Sequence, residues 1–388
     1  MYQGDNQTVE KTFVVFGTPD LGKPRARILI GGLRERNIIA GECTVEIWRG
    51  IEDKSQVKGN AAWLRIVLRY CLAYPALIFR YLRAPRHDAV LVTYMGHLDV
   101  LVLWPFAKLR GARIVWDAFL SLYDTIVEDR KLIGAGHPAA WAIRAFENLS
   151  CAAADIVVLD TKAHADYFRS KYKLPESKVN SVWVGAETEM FRNASHVQGG
   201  ADADEFNVLF YGQYIPLHGI EHIVDAARRI NDPAIKWTII GRGQEREKID
   251  ALLAQHELSS VKLIDWVDYA ELPGMIASAD LCLGIFGDSD KAARVIPNKV
   301  FQILASGKPL VTADTPGIRE ILSDRMPGVW LVPPASGAAL AEAVVVAKAW
   351  VSSNRAMRLH DGIDAQISPQ AIALSLVTKL EAAFRARP

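Results

Sequence analysis

Short apolar runs rich in β-branched residues alternate with longer helical patterns along the whole chain, and the scheme is played through twice. In the first half Thr12–Phe16, Cys43–Trp48, Asp88–Tyr94, Arg113–Trp116 and Ile156–Leu159 read as strands. They are short and rich in β-branched residues, which favours buried strands of parallel sheets over helix. Helical segments such as Trp63–Leu82 and Ala139–Ala152 separate them. The second half repeats the order with Phe206–Tyr211, Ile235–Ile240, Val261–Ile264, Leu281–Ile285 and Pro309–Thr312. This succession predicts an α/β chain of two Rossmann-like, doubly wound domains. Asn193–Glu205 is polar, contains glycine and shows no periodicity, so it is the expected linker. Residues 1–195 and 206–368 then form the two domains. Ligands of such sheets bind outside the carboxyl ends of the strands, which places a site in the cleft between them.

Composition narrows the function. Half of the 388 residues are hydrophobic and 23% are charged, enough for two cores. The net charge of +1 gives no global attraction for nucleic acid, so no nucleic-acid partner is expected. Cys43, Cys71, Cys151 and Cys282 form no C-x-x-C pair, which indicates neither a zinc site nor a disulfide framework. Met1–Glu10 lacks the basic and apolar segments of a signal peptide. No run of about 20 uncharged apolar residues is present, and a cytoplasmic location is expected.

Three stretches of the second half carry chemistry. Val208–Ile220 runs from a strand through Gly212 and Gln213 to a helix start near His218. Glycine allows close approach of backbone and ligand there, and the free N–H groups of a helix start favour an anion. Ile239–Gln244 is a second strand end, with Gly241 and the cation Arg242. Ile285–Pro309 places Asp288, Lys291, Arg294, Asn298, Lys299 and Gln302 around a helix start at Pro297. Three cations beside a helix dipole suit phosphate oxygens.

In this order and spacing the three stretches resemble the donor domain of glycosyltransferase family 4, a retaining family with the GT-B fold. Asp265–Pro273, Ile276–Leu281, Ala305–Val311 and Thr315–Leu322 support the likeness. It is strong from Phe206 to Pro334 and weaker in Asp117–Tyr123, Asp155–Thr161 and Val184–Glu187. The resemblance implies transfer of a sugar from a nucleoside diphosphate to an acceptor hydroxyl, sugar or lipid-linked, in polysaccharide or glycolipid assembly. It further implies no cofactor and no bound metal, and a last helix, about 369–388, that returns to the N-terminal domain. Gly212, Gln213, His218, Gly241, Arg242, Asp288, Lys291, Arg294, Asn298, Lys299 and Gln302 are the implied donor residues. The chain departs from the family pattern at four of them. Gln213 and His218 stand where arginine and lysine are common, and Arg294 and Gln302 where two glutamates are common.

On the acceptor side, Gly17–Pro24 resembles the family's glycine loop and nominates Gly22 and Lys23. His97 is either a cleft-facing catalytic residue or a structural histidine. Asp117 either meets an acceptor hydroxyl or caps the following segment. A nucleotide-sugar epimerase or hydrolase, or a non-catalytic partner of the same fold, are the alternative readings. Finally, at about 100° per residue, Arg65, Arg69, Arg80 and Arg83 of Trp63–Arg83 fall within roughly 60° of one another. That stripe is either a solvated outer face or the basic side of a helix on the inner face of a membrane.

Overall fold

The computed structural model describes residues 11–48, 59–194, 205–256, 258–354, 357 and 359–385. Strands β1 (Phe13–Gly17), β2 (Ile39–Thr44), β3 (Ala89–Val92), β4 (Arg113–Phe119), β5 (Ile156–Leu159) and β6 (Val179–Ser181) form a parallel sheet of order β2-β1-β3-β4-β5-β6. Helices α1 (Pro24–Glu35), α2 (Asn60–Leu82), α3 (His97–Leu109), α4 (Pro138–Ala153) and α5 (Lys162–Tyr172) link them, and α6 (Thr188–Ala194) follows. The second sheet has order β12-β11-β10-β7-β8-β9. Its strands are β7 (Phe206–Tyr211), β8 (Ile235–Ile240), β9 (Val261–Ile264), β10 (Leu281–Leu283), β11 (Leu310–Ala313) and β12 (Val329–Val332). Around it lie α7 (Ile220–Ile230), α8 (Arg246–His256), α9 (Leu272–Ser278), α10 (Asp290–Arg294), α11 (Asn298–Ala305) and α12 (Gly337–Asn354). The chain closes with α13 (Asp364–Ile367) and α14 (Pro369–Arg385).

Each central strand feeds two cores. Phe13 of β1 points into a layer with Leu29 and Leu33 of α1 and Leu376 and Leu380 of α14. Val14 and Phe16 point the other way, towards Leu77 and Tyr81 of α2 and Leu103 of α3. The continuous apolar strands of the sequence are therefore two-sided. The last helix does return to the first domain. A Cβ on Gly32 of α1 would lie 1.9 Å from the Pro369 carbonyl oxygen, so only glycine lets α14 come this close. The guanidinium of Arg113 donates to the Phe384 carbonyl at 3.3 Å, and Lys379 donates to that of Ser181.

Three edge elements differ from the expectation. The second strand is Ile39–Thr44 and not Cys43–Trp48, and β6 and β12 were not anticipated. All three are sheet edges, where one neighbour is missing and the residues are only partly buried; β2 and β6 carry polar residues and no apolar run, whereas the short apolar run of β12 was overlooked. Ile47 and Trp48, which suggested a strand, are buried in the layer that α2 covers. Of the expected linker Asn193–Glu205, residues 195–204 lie outside the described residues.

Candidate functional site

A cleft of about 630 Å³ opens between the carboxyl ends of the two sheets, and both domains line it. From the C-terminal side come Gly212, Gln213, His218, Lys291, Asn298, Lys299 and Gln302, and from the N-terminal side Lys23, Asp129, Arg130, Asp160 and a largely apolar wall.

The C-terminal side of the cleft is built on two glycine turns. β7 ends at Gly212, whose φ is +150°, and a Cβ there would lie 2.8 Å from the His218 ring and 3.0 Å from Lys299 Nζ. Gly241, at the end of β8, supports that turn and does not reach the cleft. A Cβ on it would fall 1.9 Å from the Gly212 carbonyl oxygen. α11 starts at Asn298, with Pro297 at its N-cap, and brings Lys299 into the gap. Lys299 is 5% exposed, its ammonium has no hydrogen-bond partner, and it stands 3.8 Å above the Phe210 ring. Burial pushes its pKa well below the ordinary lysine value. His218 donates from Nδ1 to the Gln213 carbonyl. Burial, and then the charge of Lys299, push its pKa well down, so the imidazole is neutral near pH 7. Gln302 accepts from the Tyr211 hydroxyl at 3.0 Å and donates to the Tyr269 hydroxyl at 3.2 Å. Tyr269 in turn donates to Glu187 at 2.8 Å, which holds Arg27 of α1 at 2.6 Å. This chain of bonds crosses from one domain to the other. Gln302 keeps one N–H and one lone pair for a ligand.

Two of the three expected phosphate cations are engaged elsewhere. Arg294 donates to Asp124 at 2.8 Å and stacks over Tyr167 at 4.0 Å, and it does not line the cleft. Lys291 lines the cleft but donates to Thr125 at 2.6 Å, with Asp129 and Asp124 pulling on its charge. Ser289 donates to Asp129 at 3.0 Å. Asp124–Asp129 is a single π-helical turn of the N-terminal domain, so α10 docks across the cleft on that turn. Arg242 and Asp288 are exposed and lie outside the cleft lining.

The N-terminal side also departs from expectation. Asp117 is fully buried, and Arg25 grips it through Nε and Nη2, at 2.6 Å for the shortest contact. Arg25 Nη1 also donates to the carbonyls of Val182 and Trp183. Asp117 therefore ties the start of α1 to β4 and to the segment after β6, and it does not face the cleft. His97 is equally enclosed. It donates from Nε2 to Glu147 at 3.2 Å, and its ring packs against Trp116 and Phe146. Glu147 also accepts from Ser121, Leu122 N and Tyr172, so this buried cluster holds the loop that leads into the π turn. Gly22 donates its N–H to Asp20 and is not part of the cleft lining, whereas Lys23 is.

Sequence reasoning missed the apolar wall, formed by Trp48, Tyr94, Met95, Phe119, Leu122 and Ile126, and the carboxylates Asp129 and Asp160. Met95 and Phe119 have φ of +66° and +60°, rare for such side chains, and both sit just beyond or at strand ends. Backbone strain of this kind gathers at functional sites. The available signal was position: Tyr94, Phe119 and Asp160 all come at or just after the ends of β3, β4 and β5.

Known proteins agree with this architecture. Residues 205–347 match the family model for glycosyl transferases group 1. The amylovoran biosynthesis glycosyltransferase AmsK of Erwinia amylovora is 26% identical over 175 residues, 43% of this chain and 41% of its own length. The matched stretches span 30–53% of the curated relatives' own length. The structure of Anabaena Alr3699/HepE in complex with UDP is similar with a TM-score of 0.66 at 13% identity, covering 96% of this chain and 100% of that one. Sucrose-phosphate synthase of Thermosynechococcus elongatus gives 0.70 at 17% identity, with 97% and 100% covered. The fold is thus GT-B, two Rossmann-like domains facing each other across a cleft. The match to the glycosyl transferases group 1 model falls on the C-terminal domain.

Proposed function

We propose that the chain is a retaining glycosyltransferase, as the resemblance to family 4 implies. Its C-terminal domain, 206–368, holds a nucleoside-diphosphate sugar, and its N-terminal domain, 1–195, presents the hydroxyl of a sugar or lipid-linked acceptor. One observation carries this reading: the buried ammonium of Lys299 has no partner and is aimed at the Gly212 turn, at the start of α11. A buried charge without a counter-ion is costly unless a ligand completes it. Diphosphate oxygens would do so, and the N–H groups of the helix start would add to it. The same charge would stabilise the diphosphate as it departs, where negative charge develops. Gln302 and Asn298 are the proposed contacts to the nucleoside and sugar hydroxyls. In this reading Lys299 and the helix start supply the positive charge, and no metal is required. The names of two similar proteins, one of amylovoran biosynthesis and one bound to UDP, favour cell-surface polysaccharide assembly and a uridine nucleotide.

Calorimetric titration of uridine, guanosine and adenosine diphosphates tests the reading, with EDTA expected to change nothing. Lys299→Ala is expected to weaken the preferred nucleotide by about 1.5–3 kcal/mol, the scale of a hydrogen bond to a charged group. Equal affinity in wild type and variant would put the diphosphate elsewhere. Proton NMR of the first-formed product tests retention, and an inverted anomeric centre would refute that part.

A further inference from the structure

The arginine stripe of α2 flanks an outer face that is exposed and apolar. Among the described residues, 12 of the 17 exposed large hydrophobic side chains fall between Leu64 and Leu149. Six lie on α2: Leu64, Val67, Leu68, Leu72, Phe79 and Leu82, between 45% and 69% exposed. At 3.6 residues per turn the helix has three stripes. Ile66, Ala73, Leu77 and Tyr81 face the core. The exposed apolar residues face away from it, and Arg65, Arg69, Arg80 and Arg83 run between the two along one flank. α3 packs beside α2 and α4 beside α3, and they extend the outer surface with Trp104, Leu109, Trp141 and Leu149.

The exposed charges carried by these three helices are of one sign. Residues 60–86 contain five arginines and no aspartate or glutamate. The only acidic residues on the three helices, Asp99 and Glu147, are buried in the domain. The surface also borders the cleft, because Trp48 of the apolar wall donates its indole N–H to Tyr70 of α2 at 3.1 Å.

We infer that the outer face of α2, α3 and α4 docks on an anionic lipid bilayer, with the apolar stripe of α2 in the headgroup boundary and its arginines on lipid phosphates. An apolar face flanked by arginine, with tryptophans nearby, is the composition of an interfacial helix, and anionic headgroups complement its charge. The surface would bring the acceptor side of the cleft to the membrane. The docking itself does not depend on the transfer reaction.

Co-sedimentation of the full chain with phosphatidylcholine vesicles, with and without phosphatidylglycerol, tests this. Wild type is expected to pellet with the anionic vesicles and to be partly released as salt rises, since exposed charges are screened. Leu68→Ser/Leu72→Ser/Phe79→Ser should lose binding by at least about tenfold, because the apolar face drives insertion. Arg65→Gln/Arg80→Gln/Arg83→Gln should lose only the salt-sensitive part; Arg69 is kept because it donates to the Ile47 carbonyl. The altered side chains are exposed, so both variants should keep the melting temperature and nucleotide affinity of wild type. Wild type left in the supernatant with both vesicles, or a serine variant that pellets as wild type does, would overturn the proposal. So would a wild-type dimer that ignores vesicles and becomes monomeric in the serine variant, which would make a second copy the occupant.

Discussion

Lys299 is the residue on which the proposed donor site turns. An ammonium held over an aromatic ring, with no acceptor in reach, destabilises the empty protein. Lys299→Met should therefore stabilise the unliganded chain by roughly 1–3 kcal/mol, the cost of an unsatisfied buried donor, read from urea denaturation, while abolishing stabilisation by nucleoside diphosphate. Its titration gives a second expectation. Burial lowers the pKa in the empty cleft, and arriving phosphate oxygens raise it again. Affinity is then full below the empty-cleft pKa and falls as pH rises through it, with net proton uptake on binding. Calorimetry in two buffers of different ionisation enthalpy measures that uptake, and Lys299→Ala should remove it. His218 contributes nothing to this dependence, because its buried imidazole is already neutral near pH 7 and donates to the Gln213 carbonyl. Proton release on binding would contradict the assignment.

At the scale of elements, the cleft wall rests on Glu147 of α4. Burial opposes its ionisation, yet His97, Tyr172 and Ser121 together hold its carboxyl below the ordinary 4.5. One buried anion thus fastens the loop after β4, which continues into the π turn facing α10. Glu147→Ala should cost about 3–5 kcal/mol in urea denaturation, the scale for removing one partner of a buried pair. The sign of the pH dependence follows from the lowered pKa. The contribution is complete above 4.5 and disappears as pH falls through the folded-state value. Acid unfolding monitored by circular dichroism should lose this component in Glu147→Gln. His97, nominated as a catalytic residue, belongs to this cluster.

For the molecule as a whole, the two domains meet through polar groups on either side of the cleft. Arg294 with Asp124, Lys291 with Thr125 and Ser289 with Asp129 join α10 to the π turn. Asp124 is fully buried, and burial raises its pKa against the pull of Lys291 and Arg294. A double-mutant cycle of Arg294→Ala and Asp124→Ala should give a coupling energy of about 0.5–3 kcal/mol in urea denaturation, as for residues in direct contact. Arg294→Ala should leave the intrinsic phosphate contact of Lys299 in place, so nucleotide affinity should fall far less than in Lys299→Ala. Additive single effects would mean that the ion pair does not hold the domains together.

Much of this protein was local and therefore readable from the chain. Strand–helix alternation gave both sheets, because a strand covered on two faces must be apolar throughout. The Gly212 and Gly241 turns, and Lys299 at a helix start, were evident because glycine at a strand end and a cation after Pro297 sit within a few residues of each other. The arginine stripe of α2 also followed from helical periodicity alone. Tertiary structure decided the rest. Lys291 and Arg294 look like Lys299 in sequence, but their partners Thr125 and Asp124 lie 166 and 170 residues away. Asp117 offered an acceptor contact or a cap, and its partner Arg25 lies 92 residues away. The edge strands β2 and β6 carry no apolar run, since half of their surroundings is missing. Periodicity defines three stripes on α2 but cannot say which one the core covers, and it is the packing of Ile66, Leu77 and Tyr81 against the first sheet that turns the apolar stripe outward.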